Sequence, residues 1–264
     1  AAIITIPDSA LATSTQYYTD TIGGGIGTAL IMTGGGSGAN VGNSRNDDGF
    51  SGPISLGFTL DFFGNTYSEF WANNNGNISF TAGISSFTPT GPQGAAQPII
   101  SPFFGDVDTR NVNSGLMYLR NDIADQIIVT WDQVGYYNSN ADLLNSFQLV
   151  LRGSDYVVPV GEGNIGFFWN TMEWETGDAS GGINGFGGTP AAVGFGDGAG
   201  NGVILESSLT HGISGVVNNQ MIWFNPNLEP ISSSRVTVPE PGTMLLMGIG
   251  LIALVIRRRK STSI

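Results

Sequence analysis

QIIVTWDQV at 126–134 and NSFQLVLR at 145–152 are the stretches that decide the fold. In the second, Phe147, Leu149 and Leu151 alternate with Gln148, Val150 and Arg152, the period of two that sends neighbouring side chains to opposite faces of a β-strand. In the first, both faces are apolar apart from Thr130, as expected of a central strand covered on both sides. Comparable runs recur roughly every 8–15 residues between Ser44 and Phe224. They are ISLGFTL (54–60), SEFWAN (68–73), NISF (77–80), GLMYLR (115–120), IGFFWN (165–170), AAVGFG (191–196) and MIWF (221–224). Turn-forming pairs separate the runs at Asn75-Gly76, Gly177-Asp178 and Asp197-Gly198. No long helical period interrupts them and no internal repeat is visible. The spacing predicts an all-β fold, an antiparallel β-sandwich or flattened barrel.

Composition agrees. The chain has 264 residues, 40 of them glycine, and only 11% are charged. That length can bury a core without covalent staples, and with no cysteine there is neither a disulfide nor a thiolate metal ligand. Charge is uneven. All 21 acids lie at or before Glu240, and four of the nine basic residues are Arg257, Arg258, Arg259 and Lys260. The rest of the chain sets five cations against 21 acids, a balance of −16, and repels nucleic acid while leaving divalent cations as plausible partners. The opening Ala1-Ala2, without methionine, fits removal of a secretory signal peptide.

Four segments follow. Residues 1–45 are glycine-rich, with GGGIG at 23–27 and GGGSG at 34–38, and read either as flexible linker or, from the strand-like 1–6 and 28–32, as a decorated hairpin. Residues 46–224 form the β domain, and the Pro/Ser-rich 225–238 reads as a linker. In the tail, 239–264, an apolar run from Thr243 to Ile256 lies between Pro239-Glu240-Pro241 and the four cations. As a short hydrophobic helix it would rise about 21 Å, less than the roughly 30 Å of a bilayer core.

Candidate chemistry is sparse. The single histidine, His211, has no evident partner in sequence and reads as a loop residue. Glu173 and Glu175, two apart on a strand, would share a face; such pairs can hydrolyse glycosides, but adjacent acids on a strand are more commonly a solvated edge. Asp106 and Asp108 in FFGDVDT would also share a face, with Asp47 and Asp48 adding acids, and the first two are the candidate calcium ligands. The competing view is that these carboxylates cap turns. DGAGNGVILE (197–206) begins like a calcium loop but has Ala199 at its third and Ser208 at its twelfth position, so it reads as a turn. No phosphate-binding glycine motif occurs. The aromatics Phe62, Phe63, Phe70, Trp71, Phe103, Phe104, Trp131, Phe167, Phe168 and Trp169 read as core, and the sequon at Asn77 as chance.

Two resemblances add to this. The tail resembles the bacterial PEP-CTERM sorting signal, with Pro239, Glu240, Pro241, a short apolar helix and the cytoplasmic stop Arg257, Arg258, Arg259 and Lys260 in the expected order. That resemblance implies a transient inner-membrane anchor, an exosortase as processing partner, and a Gram-negative, exopolysaccharide-producing host. The plain alternative is an ordinary single-pass anchor. The body resembles the extracellular NIDO domain, on DDGFSGPISLGFTLDFFGNTY (47–67), WANNNGNISF (71–80), QPIISPFFGDVDT (97–109), VTWDQVGYY (129–137), NSFQLVLRG (145–153), NIGFFWNTMEWETG (164–177) and AAVGFG (191–196). Phe104-Gly105 stands where Trp-Ala is more usual. Animal members sit in matrix and mucosal proteins linked to cell–matrix adhesion, and the family carries no catalytic residues. The expectation is a non-enzymatic secreted surface or matrix protein for adhesion or exopolysaccharide scaffolding. The alternative is a subunit that self-associates into a filament or sheath through the free strand at 1–6.

Overall fold

The computed structural model describes residues 1–231; the tail, and with it the expected C-terminal helix, lies outside the described residues. The strands in chain order are β1 (Ile3–Ile6), β2 (Ala12–Thr13), β3 (Thr28–Ala29), β4 (Gly34–Gly35), β5 (Gly49–Phe62), β6 (Asn65–Asn73), β7 (Asn77–Ser79), β8 (Pro98–Phe104) and β9 (Val107–Asp108). They continue with β10 (Leu116–Ile123), β11 (Gln126–Tyr136), β12 (Asn140–Arg152), β13 (Ile165–Met172), β14 (Gly182–Ile183), β15 (Phe186–Gly187), β16 (Ala192–Asp197), β17 (Gly202–Leu205) and β18 (Gln220–Phe224). Two five-residue helices, α1 (Tyr18–Ile22) and α2 (Ile213–Val217), and three short 3-10 turns at Asp8–Ala10, Pro92–Gly94 and Asp178–Ser180 complete the regular elements among the described residues.

Two open eight-stranded sheets face each other, so the sandwich and not the closed barrel is the architecture. The first runs β1-β17-β16-β8-β7-β6-β5-β4; the second runs β2-β18-β13-β12-β11-β10-β3, with β9 paired to β11. Pairing is antiparallel except for β1 on β17. The alternation legible at 145–152 is realised: Phe147, Leu149 and Leu151 enter the core between the sheets, beside Ile127, Val129 and Trp131 of β11. Core tryptophans bury their rings and satisfy their N–H groups. Trp131 Nε1 donates to the Asn74 carbonyl at 3.0 Å, Trp169 Nε1 to that of Pro102 at 2.9 Å, and Trp174 Nε1 to that of Val134 at 3.0 Å.

β8 escaped the strand pattern because Pro98 and Pro102 interrupt it, and proline is confined to edges or bulges. Here Pro102 falls at a bulge: Ser101 opposes Gly194 and Phe104 opposes Ala192, with the register shifting between. β8 is therefore central despite two prolines.

The N-terminal segment departs from the expected hairpin and from a linker. β1 joins the first sheet beside β17, β2 joins the second beside β18, β3 pairs β10 and β4 pairs β5. All four ends of the two sheet paths are thus strands from residues 3–35. The long inner strands would otherwise present unpaired edges, and short terminal strands limit that exposure. Between β2 and β3, α1 covers the outer face of the second sheet, where Tyr18 packs with Ile128, Val150, Phe168 and Trp223. Residues 225–231, expected as linker, also fold back: Phe224 bridges Pro230 and the Ile231 amide donates to the Trp223 carbonyl at 2.7 Å.

Candidate functional site

At one end of the sandwich the RNDDG and GDVDT loops are stitched together. Asp47 bridges Asp108 in antiparallel register. The Asn46 amide donates to Thr109 Oγ1 at 2.9 Å, and that hydroxyl donates back to the Asn46 carbonyl at 3.0 Å. Asn46 Oδ1 accepts from the Gly49 amide at 3.0 Å, which turns the chain into β5. Asp48 takes a left-handed backbone, φ 59°, one that aspartate tolerates better than most residues. Its Oδ1 accepts from Asn75 Nδ2 at 2.7 Å. Asp106 lies where the chain leaves β8 of the first sheet for β9 on the second. A Cβ at position 177 would come within 2.5 Å of Asp106 Oδ2, so Gly177 is what lets the carboxylate lie there.

Carboxylate oxygens of Asp47, Asp48 and Asp106 lie within 4.8 Å of one another. Of the pair expected from sequence, Asp106 joins this group and Asp108 turns away. Asp108 Oδ1 accepts from Arg110 Nε at 2.9 Å, and Oδ2 accepts from Arg110 Nη2 at 2.5 Å and the Ser139 amide at 2.8 Å. Asp108 also accepts the Arg110 amide at 2.9 Å, the turn-capping behaviour weighed from sequence. Arg110 Nη2 reaches Asp47 Oδ2 at 3.0 Å. Neither oxygen of Asp106 has a hydrogen-bond partner, nor has Asp47 Oδ1. Burial, then the neighbouring carboxylates, pushes Asp106 up to about 8. Burial, then Asp48 and Asp108, pushes Asp47 up to about 7 against the opposing pull of Arg110. Asp48 is also raised, chiefly by burial. The group faces a cavity of about 190 Å³ that Tyr137 and Arg110 help to line. Three carboxylates with spare oxygens suit a hard cation.

The remaining candidates separate. His211, solitary in sequence, has a partner in the fold: its Nδ1 lies 3.5 Å from Glu175 Oε1. Glu175 is buried and accepts the Gly212 amide at 2.8 Å. Glu173 is exposed and accepts the Leu144 amide at 2.8 Å. The expected shared face for the two glutamates does not form, because β13 ends at Met172, before both. Residues 197–201 form a turn as read, with Asp197 Oδ1 accepting from the Ala199 and Asn201 amides at 2.7 and 3.0 Å, while 202–205 is β17. Asn77 is fully buried and bonded to Asn73 at 2.8 Å, so its sequon is closed in the folded state. Of the ten aromatics read as core, Phe63 and Trp71 are half-buried and the rest are buried.

Arg110 and Arg152 were not singled out as functional in sequence. The available signal was the scarcity of cations in an acidic body. Each described arginine is engaged internally: Arg45 with backbone carbonyls such as Thr109, Arg110 with Asp108, Arg120 with Asp122, and Arg152 with Glu162. The sorting residues Pro239, Glu240 and Pro241 and the cations at 257–260 lie outside the described residues.

The described residues form a disulfide-free, acidic β-sandwich with a carboxylate cluster at one end. The chain belongs to the NIDO-related family, whose model matches residues 25–226, and residues 237–260 match the PEP-CTERM protein-sorting motif. The first match begins well before 46 because β3 and β4 are integral strands of the domain. Among curated proteins the chain is similar to alpha-tectorin: 32% identical over 181 residues to that of Gallus gallus, and 34% and 33% identical over 183 residues to those of Mus musculus and Homo sapiens. Each alignment covers 58% of this chain and 8% of the tectorin, so the chain corresponds to a small part of those proteins. No solved structure matches. The two family matches together mark an extracellular surface protein of a Gram-negative bacterium, secreted with a C-terminus that an exosortase processes at the membrane.

Proposed function

We propose that the protein is a non-enzymatic adhesion or scaffolding component of the exopolysaccharide matrix, acting as a monomer released from its transient membrane anchor. The observation that carries this reading is the pairing, in one chain, of a NIDO-related domain with a PEP-CTERM motif. The fold supports a self-contained module. The strand at 1–6, on which the filament alternative relied, is engaged in its own chain, with Ile3 to Ile6 in register with Gly202 to Leu205. Polymerisation by strand donation would require β1 to leave β17. The test mixes protein purified from the extracellular fraction with isolated matrix polysaccharide from a producing strain and separates the two by sedimentation. Retention of monomer on the matrix is the expected result. Micrometre-scale particles in electron micrographs would favour the filament, release of sugars would show an enzyme, and no retention at all would remove the matrix as partner.

A further inference from the structure

We propose that Asp47, Asp48 and Asp106 bind a calcium ion that ties the 34–48 loop to the crossover between the two sheets. Oxygens bound to one calcium at about 2.3–2.6 Å can lie at most about 5 Å apart. The three carboxylates meet that limit, at 4.8 Å or less. Clustering alone would not argue for an ion, since acids often gather on surfaces.

The second observation is independent of it. Asp106 is 1% exposed, faces the cavity, and holds both carboxylate oxygens without a donor. A buried carboxylate with no partner is costly, and proteins normally supply a hydrogen bond, a cation or a metal. Arg110 does not reach Asp106. Its Nε and Nη2 are engaged by Asp108, and Nη2 also meets Asp47 Oδ2, leaving Oδ1 of that residue bare as well.

Charge leads to the same ion. Four carboxylates and one guanidinium leave the pocket short of positive charge, and a divalent cation balances most of it. All-oxygen ligands select a hard cation over zinc. Three carboxylates, some bidentate, fall short of six to eight ligands unless water completes the shell, and a cavity of about 190 Å³ has room for that. Asp47 and Asp48 immediately precede β5 of the first sheet, and Asp106 precedes β9 on the second. The ion would therefore bridge the sheets at this end.

The experiment uses the full chain in mild detergent, stripped with EDTA and held at pH 7.5. Calcium at about a hundred times its dissociation constant should raise the melting temperature by about 5–10 °C through mass action. Asp106→Asn should abolish the rise, yet melt in EDTA no lower than the parent, because neither oxygen of the carboxyl it replaces has a hydrogen bond to lose. Should that variant fail to fold, the half-buried Asp48→Asn keeps the test open and should need at least tenfold more calcium for the same rise. Terbium emission sensitised by Tyr137 and quenched by added calcium would place the ion in this cavity. No calcium response in the parent, or a full response in both variants, overturns the site. An equal response to magnesium overturns the assignment to calcium.

Discussion

Arg152 is the residue whose replacement tests the packing logic most directly. It is the last residue of β12, on the outward face of the second sheet, and its side chain is 0% exposed. Nε donates to Gln126 Oε1 and Nη1 to the Gly163 carbonyl, each at 2.8 Å, while Nη2 serves Glu162 and the Tyr18 hydroxyl. The guanidinium carbon lies 4.4 Å from the Trp223 ring centroid and 4.5 Å from that of Tyr156. Arg152→Met keeps the length and removes the donors. Two buried neutral acceptors lose their partner, at about 1–1.5 kcal/mol each, and the cation–π contacts contribute about 0.5–2 kcal/mol more. Glu162, 22% exposed, recovers water and adds little. The sum is about 2.5–5 kcal/mol, or a fall in melting temperature of about 5–20 °C for a domain of this size. Urea unfolding followed by tryptophan fluorescence measures the first quantity. Amide exchange should also quicken most at residues 17–22, because Tyr18 loses its clamp. A loss below about 1 kcal/mol, with residues 17–22 as protected as before, would refute the account of how the outer face is held.

Three further outcomes follow from the structure. Asp106 and Asp47, raised to about 8 and about 7, bind protons more tightly when folded than when unfolded, so the stability they contribute is complete below about pH 4 and disappears as pH rises through 7 and 8; in EDTA the urea midpoint should fall between pH 5 and pH 8 and flatten in Asp106→Asn, and a rising midpoint would contradict this. Gly76 has φ 75° and a Cβ there would sit 1.8 Å from the Phe103 carbonyl oxygen, so Gly76→Ala should cost well over the ~1 kcal/mol of backbone strain alone, and a melting temperature within 2 °C of the parent, roughly that cost, would count against it. Native extracellular protein should lack Thr243 to Ile264 by intact mass, and alanines at Pro239, Glu240 and Pro241 should hold the full-length chain in the membrane fraction; an extracellular wild-type chain retaining Arg257 to Ile264 would argue for the filament.

Strands whose apolar residues alternate, or are apolar throughout, were legible because the side-chain period of a strand is a local property. The central placement of 126–134 followed from its two apolar faces, and the turns at Asn75-Gly76 and Asp197-Gly198 from their chemistry. The same local logic overlooked β8, since the bulge that excuses Pro102 exists only when β16 pairs beside it. At the acidic site the residue types were visible, and Asp47 and Asp48 were counted with Asp106 and Asp108. Which of the four converge was not. Asp108 is drawn off by Arg110 and by the Ser139 amide, and the latter is 31 residues distant in sequence. His211 and Glu175 likewise meet only because the fold brings the Gly212 amide onto Glu175 Oε2, at 2.8 Å.

Sequence by itself determined the all-β class, the inward-facing core of the 145–152 strand, the acidic disulfide-free body and the sorting tail, because each is written in composition, short-range period or an ordered motif. Tertiary structure alone decided what residues 1–45 do. Their strands are two to four residues long and carry too little pattern to assign. They form because longer strands already present edges with unpaired N–H and C=O groups, and pairing those groups is what orders the glycine-rich chain. The burial of the outward-facing Val150 and Arg152 is likewise tertiary: their cover, Tyr18, comes from more than a hundred residues away, a contact no local period can encode.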